Sequence, residues 1–151
     1  RRLAAMADLV EDAVSHGARV TTGGKRVGNR GWFYEPTVLA DVPLDARVMS
    51  EEPFGPIAPC MAVDSMDEAL KISNSLSMGL AAFVFTNDME RADYLSRELQ
   101  VGSVALNVFT SPGGDAPFGG VRESGIGREG GTEMYHSYTV AKTIAERRVK
   151  V

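Results

Sequence analysis

The chain has little of what several function classes require. It has a single cysteine, Cys60, in 151 residues, which excludes an internal disulfide and fits a reducing, cytoplasmic location. It has two histidines, His16 and His136, neither with a second ligand at metal spacing, so no metal site is expected. Positive charge is in deficit. Against 20 Asp and Glu stand 16 Lys and Arg, a net charge of −4 that gives no support for a nucleic-acid surface. The one dense basic run, Arg147, Arg148 and Lys150, is too short for a binding tail. No apolar stretch approaches the roughly 20 residues of a membrane helix. There is no internal repeat and no low-complexity tract. Arg1 opens directly into a helical pattern without an initiating methionine, so no signal peptide is expected and the chain reads as cut from a longer one.

What is present is ordinary for a globular domain, with 44% hydrophobic and 24% charged residues. A chain of this length buries about two-thirds of its unfolded surface. Leu3, Met6, Ala7, Val10, Ala13 and Val14 recur at helical spacing, with Gly17 as the cap and His16 placed to serve the last carbonyls. Ala18 to Thr22 predicts a short strand. Gly31 to Leu39 predicts a second extended segment, which Pro36 assigns to a sheet edge. The apolar run Ile57 to Val63 reads as a buried strand with Cys60 as a packed core thiol. Ser65 and Glu68 have capping-box spacing ahead of a helix to about Asn74.

Leu80 to Phe85 reads as a buried strand. Asn87 is placed to cap the next helix, with Met89, Ala92, Leu95 and Leu99 inward and Gly102 at its end. Ser103 to Asn107 is a further strand. Strands and helices alternating over short joins predict an α/β fold with a parallel βαβαβ sheet. Val108 to Gly131 is Gly-rich and aperiodic, and a loop of that length is usually functional or disordered. Met134 to Tyr138 reads as a short helix, and Thr143 to Val151 as an extended tail.

Two stretches carry chemistry. Ser50-Glu51-Glu52-Pro53-Phe54-Gly55-Pro56 joins a carboxylate and an aromatic ring within backbone stiffened by two prolines. Such a carboxylate can accept hydrogen bonds from both hydroxyls of a ribose, and the ring can hold a flat heterocycle. Downstream stand Asp115-Ala116-Pro117-Phe118-Gly119-Gly120-Val121-Arg122-Glu123-Ser124-Gly125 and then Gly127-Arg128-Glu129. Together they resemble the signatures of the NAD(P)-dependent aldehyde dehydrogenase superfamily, over essentially the whole chain and as its C-terminal portion.

The resemblance implies NAD or NADP as cofactor and an aldehyde as substrate. It gives Glu52 the nicotinamide ribose and Phe54 a place beside the nicotinamide ring. It puts Phe118 at the flank of the aldehyde tunnel, with Thr110, Ser111 and Pro112 in the stretch that varies with substrate. In that family an upstream cysteine attacks the aldehyde, hydride passes to the nicotinamide, and an upstream glutamate activates water. This chain would then hold no catalytic residue of its own. Residues 1–142 become the later half of a catalytic domain, truncated, and 143–151 a terminal strand that joins subunits of a homodimer or homotetramer. The run Gly125-Ile126-Gly127-Arg128-Glu129-Gly130-Gly131 with Asp115-Ala116-Pro117 looks most like the bacterial semialdehyde-oxidising branches, succinate semialdehyde among them.

Plainer readings stand beside these. Glu52 could be a solvated loop acid, Phe54 a core plug and Phe118 an anchor for the loop; both motifs in order favour the cofactor reading. Glu51 is surface charge. Gly125 to Gly130 fits the string G-x-G-x-x-G, but a loop rather than a strand precedes it, so it is a decoy. Cys60 lacks the Gly-Gln-x-Cys context of the family's nucleophile. The rival function is a noncatalytic binding or scaffold domain of the same fold, separated from the enzyme by whether that cysteine stands upstream.

Overall fold

The computed structural model describes residues 1–110 and 113–148. Ser111, Pro112 and residues 149–151 lie outside the described residues, and with them one tunnel expectation and the end of the proposed terminal strand. The chain forms two compact units, Arg1–Ser65 and Met66–Val151.

The first unit is built on helix α1, Arg2–Ser15, which buries Met6, Leu9, Val10 and Ala13. That spacing is one apolar stripe of a 3.6-residue period. The helix stops as its sequence predicts: Gly17 N–H donates to the Val14 carbonyl at 3.0 Å and Ala18 N–H to the Ala13 carbonyl at 2.9 Å, the paired bonds of a Schellman cap. His16 Nδ1 lies 2.8 Å from the Asp12 carbonyl, and this bond raises the imidazole pKa above its ordinary value. Against the stripe pack Ala18, Leu39, Val42, Ala46, Val48 and Ile57.

Three strands complete the unit, in the order β1-β2-β3: Arg19–Thr22, Thr37–Ala40 and Ile57–Pro59. β2 is antiparallel to β1 and parallel to β3. It is therefore the central strand and not the edge that Pro36 suggested. Pro36 stands one residue before the strand, so its missing N–H takes no bond from the ladder. Thr37 is the one buried polar residue among the described core positions, and its hydroxyl is satisfied by the Glu35 carbonyl and the Gly24 N–H, both at 2.8 Å.

β3 corrects a second expectation. It is short, and burial alternates: Ile57 points to the core while Ala58, and Cys60 just past the strand's end, are exposed. Cys60 is thus a surface thiol and not a core one. An unbroken apolar run predicts a buried strand, but here burial falls on one face only, and a period of two sends alternate residues outward.

The second unit contains α2 (Met66–Asn74), β4 (Met78–Gly79), β5 (Ala81–Val84), α3 (Met89–Glu98), β6 (Ser103–Leu106), β7 (Val121–Arg122) and α4 (Met134–Tyr138). β5 and β6 pair in parallel, Ala81 opposite Ser103 through Val84 opposite Leu106, with α3 as their crossover. Of the expected βαβαβ series this βαβ is present, while β3 is bonded to β2 in the first unit. Asp88, and not Asn87, caps α3: its Oδ1 accepts from the Glu90 and Arg91 N–H groups, each at 3.1 Å. Only Ala92 of the expected inner face is buried. Phe83, expected inside, is half exposed, as are Leu80 and Phe85. A pair of strands shields little of either of its own faces.

Gly102 does not end α3, which stops at Glu98 with Leu99 as cap. It serves a close approach instead, since a Cβ there would collide with the Gly119 carbonyl oxygen. The Gly-rich stretch 108–131 is not structureless either. β7 pairs antiparallel with β4, and Phe118 and Glu129 exchange backbone bonds of 2.7 and 2.8 Å.

Candidate functional site

The loop 50–56 joins a 3₁₀ turn, Arg47–Met49, to β3, and it is pinned at both ends. At its start the Arg47 N–H donates to Asp12 Oδ2 of α1 at 2.8 Å. The Arg47 guanidinium then grips Glu51 with two bonds, Nε to Oε1 at 2.7 Å and Nη2 to Oε2 at 2.9 Å. This fork holds the Glu51 carboxyl below its usual pKa and raises that of Arg47. At its end the Pro56 carbonyl accepts the Thr37 N–H of β2 at 2.8 Å. Gly55 lies against α1 so closely that a Cβ there would overlap the Met6 sulfur.

Between these anchors stand the two residues singled out from sequence. Glu52 is exposed, and its carboxylate has no hydrogen bond or ion pair among the described residues. Phe54 is 68% exposed within this chain, and the Arg2 guanidinium lies 5.5 Å from its ring centroid. Beside it opens an apolar cavity of about 540 Å³ lined by Met6, Trp32, Phe33, Tyr34 and Pro56. A rigid loop that presents one unpaired carboxylate and one open aromatic face can take a ligand with paired hydroxyls and a flat ring.

Thr110 and Phe118 belong to the second unit. Thr110 is exposed. Phe118 is half-buried and lines a cavity of about 280 Å³ with Leu80, Arg128, Ser137 and Tyr138. Asn107, at the head of that loop, takes φ 57° and ties the ends of β5 and β6 together: its Oδ1 accepts the Thr86 N–H and its Nδ2 donates to the Thr86 carbonyl, both at 2.9 Å. The segment 125–130 opens no helix; α4 begins only at Met134, and Gly125, Gly127 and Gly130 all have positive φ. That is not the geometry of a dinucleotide fingerprint.

The sequence reading missed three supports of the site loop: Asp12, the Arg47–Glu51 fork and the Met6–Gly55 contact. The fork had a signal, because oppositely charged residues four apart on a turn of helix face one another. The other two join positions far apart in sequence and leave no local mark.

The aldehyde dehydrogenase family model matches residues 1–144. The chain belongs to this family. Among curated aldehyde dehydrogenase relatives, the succinate-semialdehyde dehydrogenase of Paenarthrobacter nicotinovorans is 42% identical over 136 residues, covering 90% of this chain and 30% of that protein. Solved structures agree in fold. An aldehyde dehydrogenase from Brucella melitensis biovar abortus 2308 superposes with a TM-score of 0.86 at 41% identity, over 91% of this chain and 28% of that one. An E. coli enzyme described as NADP dependent has the same TM-score and coverage at 37% identity. The chain thus spans about 30% of the length of the relatives it matches. Among its described residues no helix is long and apolar enough to cross a membrane.

Proposed function

We propose that the chain is the C-terminal portion of an NAD(P)-dependent aldehyde dehydrogenase, in which it positions the nicotinamide end of the cofactor and lines the path of the aldehyde. The observation that carries this reading is the unpaired Glu52 carboxylate beside the open Phe54 ring, on a loop clamped from both sides. Glu52 would accept the ribose hydroxyls, and Phe54 would lie along the nicotinamide. The cofactor, when bound, accepts hydride from the substrate. This chain's own residues supply only binding and orientation. The nucleophile and the base would come from the remainder of a protein of the relatives' length, since Cys60 is exposed just past the end of β3 with no cationic side chain paired to it among the described residues.

Phe118 would narrow the tunnel, with Thr110 and Ser111 at its variable edge. A semialdehyde is the favoured substrate class, on the likeness to the Paenarthrobacter enzyme. The exposed apolar faces fit a chain that is covered by further protein, with Trp32 81% and Phe109 81% exposed.

The test compares the full-length protein with this chain alone on a panel of aldehydes and semialdehydes with NAD and NADP. The full-length protein should reduce cofactor only when aldehyde is present. The isolated chain should turn over nothing and show no micromolar binding by isothermal titration. Its loop touches one end of a cofactor whose diphosphate needs a separate binding domain, and one contact does not offset the lost translational and rotational freedom. Tight binding by the isolated chain would mean that the cofactor site is misplaced. Cofactor binding without turnover in the full-length protein would favour the scaffold reading.

Residues 143–151 are proposed to add a strand to a neighbouring subunit in a homodimer or homotetramer. Strand addition gives main-chain hydrogen bonds across an interface. Deleting the residues after Lys142 in the full-length protein should therefore shift light scattering toward smaller species. An unchanged mass would leave this tail as surface only.

A further inference from the structure

Arg122 is where four stretches of the second unit meet. Its Nη2 donates to the carbonyls of Gln100 at 3.0 Å and Met78 at 3.2 Å, and its Nη1 to the carbonyl of Asn74 at 3.3 Å. Asn74 is the last residue of α2, and Gln100 follows shortly after the end of α3. The guanidinium therefore lies where two helices present their negative ends. The Asn74 side chain ties the same two ends, its Nδ2 donating to the Glu98 carbonyl at 2.9 Å and its Oδ1 accepting the Gln100 N–H at 2.8 Å. Among the described residues no carboxylate pairs with Arg122, so its planar fork is spent on carbonyls.

Arg122 makes these bonds from φ 55°, a left-handed backbone that a long side chain rarely takes. Such a conformation persists where the surroundings over-determine it, and here they do. Glu123 N–H donates to the Ser77 carbonyl at 3.1 Å, and Ser124 Oγ accepts the Gly79 N–H at 2.8 Å. On the other side Arg128 Nη1 donates to the Gly120 carbonyl at 2.8 Å. The stretch 118–124 is held as one piece, with Phe118 at its head.

We propose that Arg122 is a positioning residue, which locks the 118–124 stretch to the C-terminal ends of α2 and α3 and so fixes Phe118 in the path of the aldehyde. This rests on the reading of Phe118 as a tunnel residue. Arg122 touches no reacting atom; it acts through the stretch it anchors. Cutting the anchor should let Phe118 wander, and small misplacements near a reacting centre carry large kinetic penalties.

The experiment uses the full-length enzyme with Arg122→Ala, Arg122→Lys and Phe118→Ala. Readouts are kcat and KM for a short and a bulky aldehyde, KM for the cofactor, and thermal unfolding. Arg122→Ala should raise the aldehyde KM about tenfold and change the short-to-bulky preference, with the cofactor KM held within about twofold. Arg122→Lys should recover part of the loss, because an ammonium keeps the charge at the helix ends but lacks the fork. If Arg122→Ala lowers only the melting temperature, with both KM values and the preference unchanged, the residue is structural and the proposal is overturned. If the alanine variant does not fold, the lysine variant decides: a raised aldehyde KM at constant cofactor KM supports the proposal, and two unchanged values overturn it. Should Phe118→Ala leave the aldehyde preference intact, it is the tunnel reading that falls, and the proposal with it.

Discussion

Glu52→Gln in the full-length enzyme should slow the first burst of nicotinamide reduction at least about tenfold. Glutamine keeps the shape of the side chain and removes its charge. A hydrogen bond to a charged group is worth about 1.5–3 kcal/mol, which corresponds to a rate factor of roughly ten to a hundred and fifty. Nothing nearby compensates, because the neighbouring Glu51 carboxylate already accepts both bonds of the Arg47 guanidinium. The same isolation gives a control. Glu52 is exposed and has no partner among the described residues, so the melting temperature should not move. Rapid-quench or stopped-flow measurement of the burst, alongside a thermal scan, separates the outcomes. An unchanged burst rate removes Glu52 from the cofactor site.

Leu39→Ala should produce the largest loss of stability in the first unit. Leu39 has no exposed surface and sits on the central strand, where α1 packs against the sheet. Truncating a fully buried leucine costs about 2–5 kcal/mol, the spread depending on how far the site collapses. For a unit of this size each kcal/mol is worth about 4–8 °C in midpoint, so a fall of at least about 8 °C is expected by circular dichroism on this chain. The loop that carries Glu52 is anchored to α1 and to β2, so cofactor binding in the full-length enzyme should weaken in parallel. A midpoint within about 2 °C of the parent would mean that the unit does not rest on this core.

The sequence made the first helix and its end legible because both are local. The stripe Met6, Val10 and Ala13 and the turn at Gly17 need no partner to be recognised, and α4 was bounded correctly for the same reason. Where two residues could perform one local task, the choice was not legible: Asn87 and Asp88 are both good caps, and it is the Asp88 carboxylate that accepts the Glu90 and Arg91 N–H groups. Strand burial failed for a different reason. Cys60, Phe83 and Phe85 lie in apolar runs, and composition alone does not say how many layers cover a sheet.

The site shows the same division. Glu52 and Phe54 could be picked out because a short motif carries them, and the Arg47–Glu51 pair had a readable spacing. Arg122 could not be read at all. Its partners are main-chain carbonyls, which every residue possesses, so no pattern of side chains announces them.

The outward turn of Cys60 has an optical consequence. The chain holds one thiol and one indole, Cys60 and Trp32. Both belong to the first unit, and both are exposed. An acceptor dye attached at Cys60 would pair with the native indole as donor, with no residue replaced. The second unit contributes neither an indole nor a thiol. With the indole excited selectively, energy transfer in this chain would therefore follow the first unit alone.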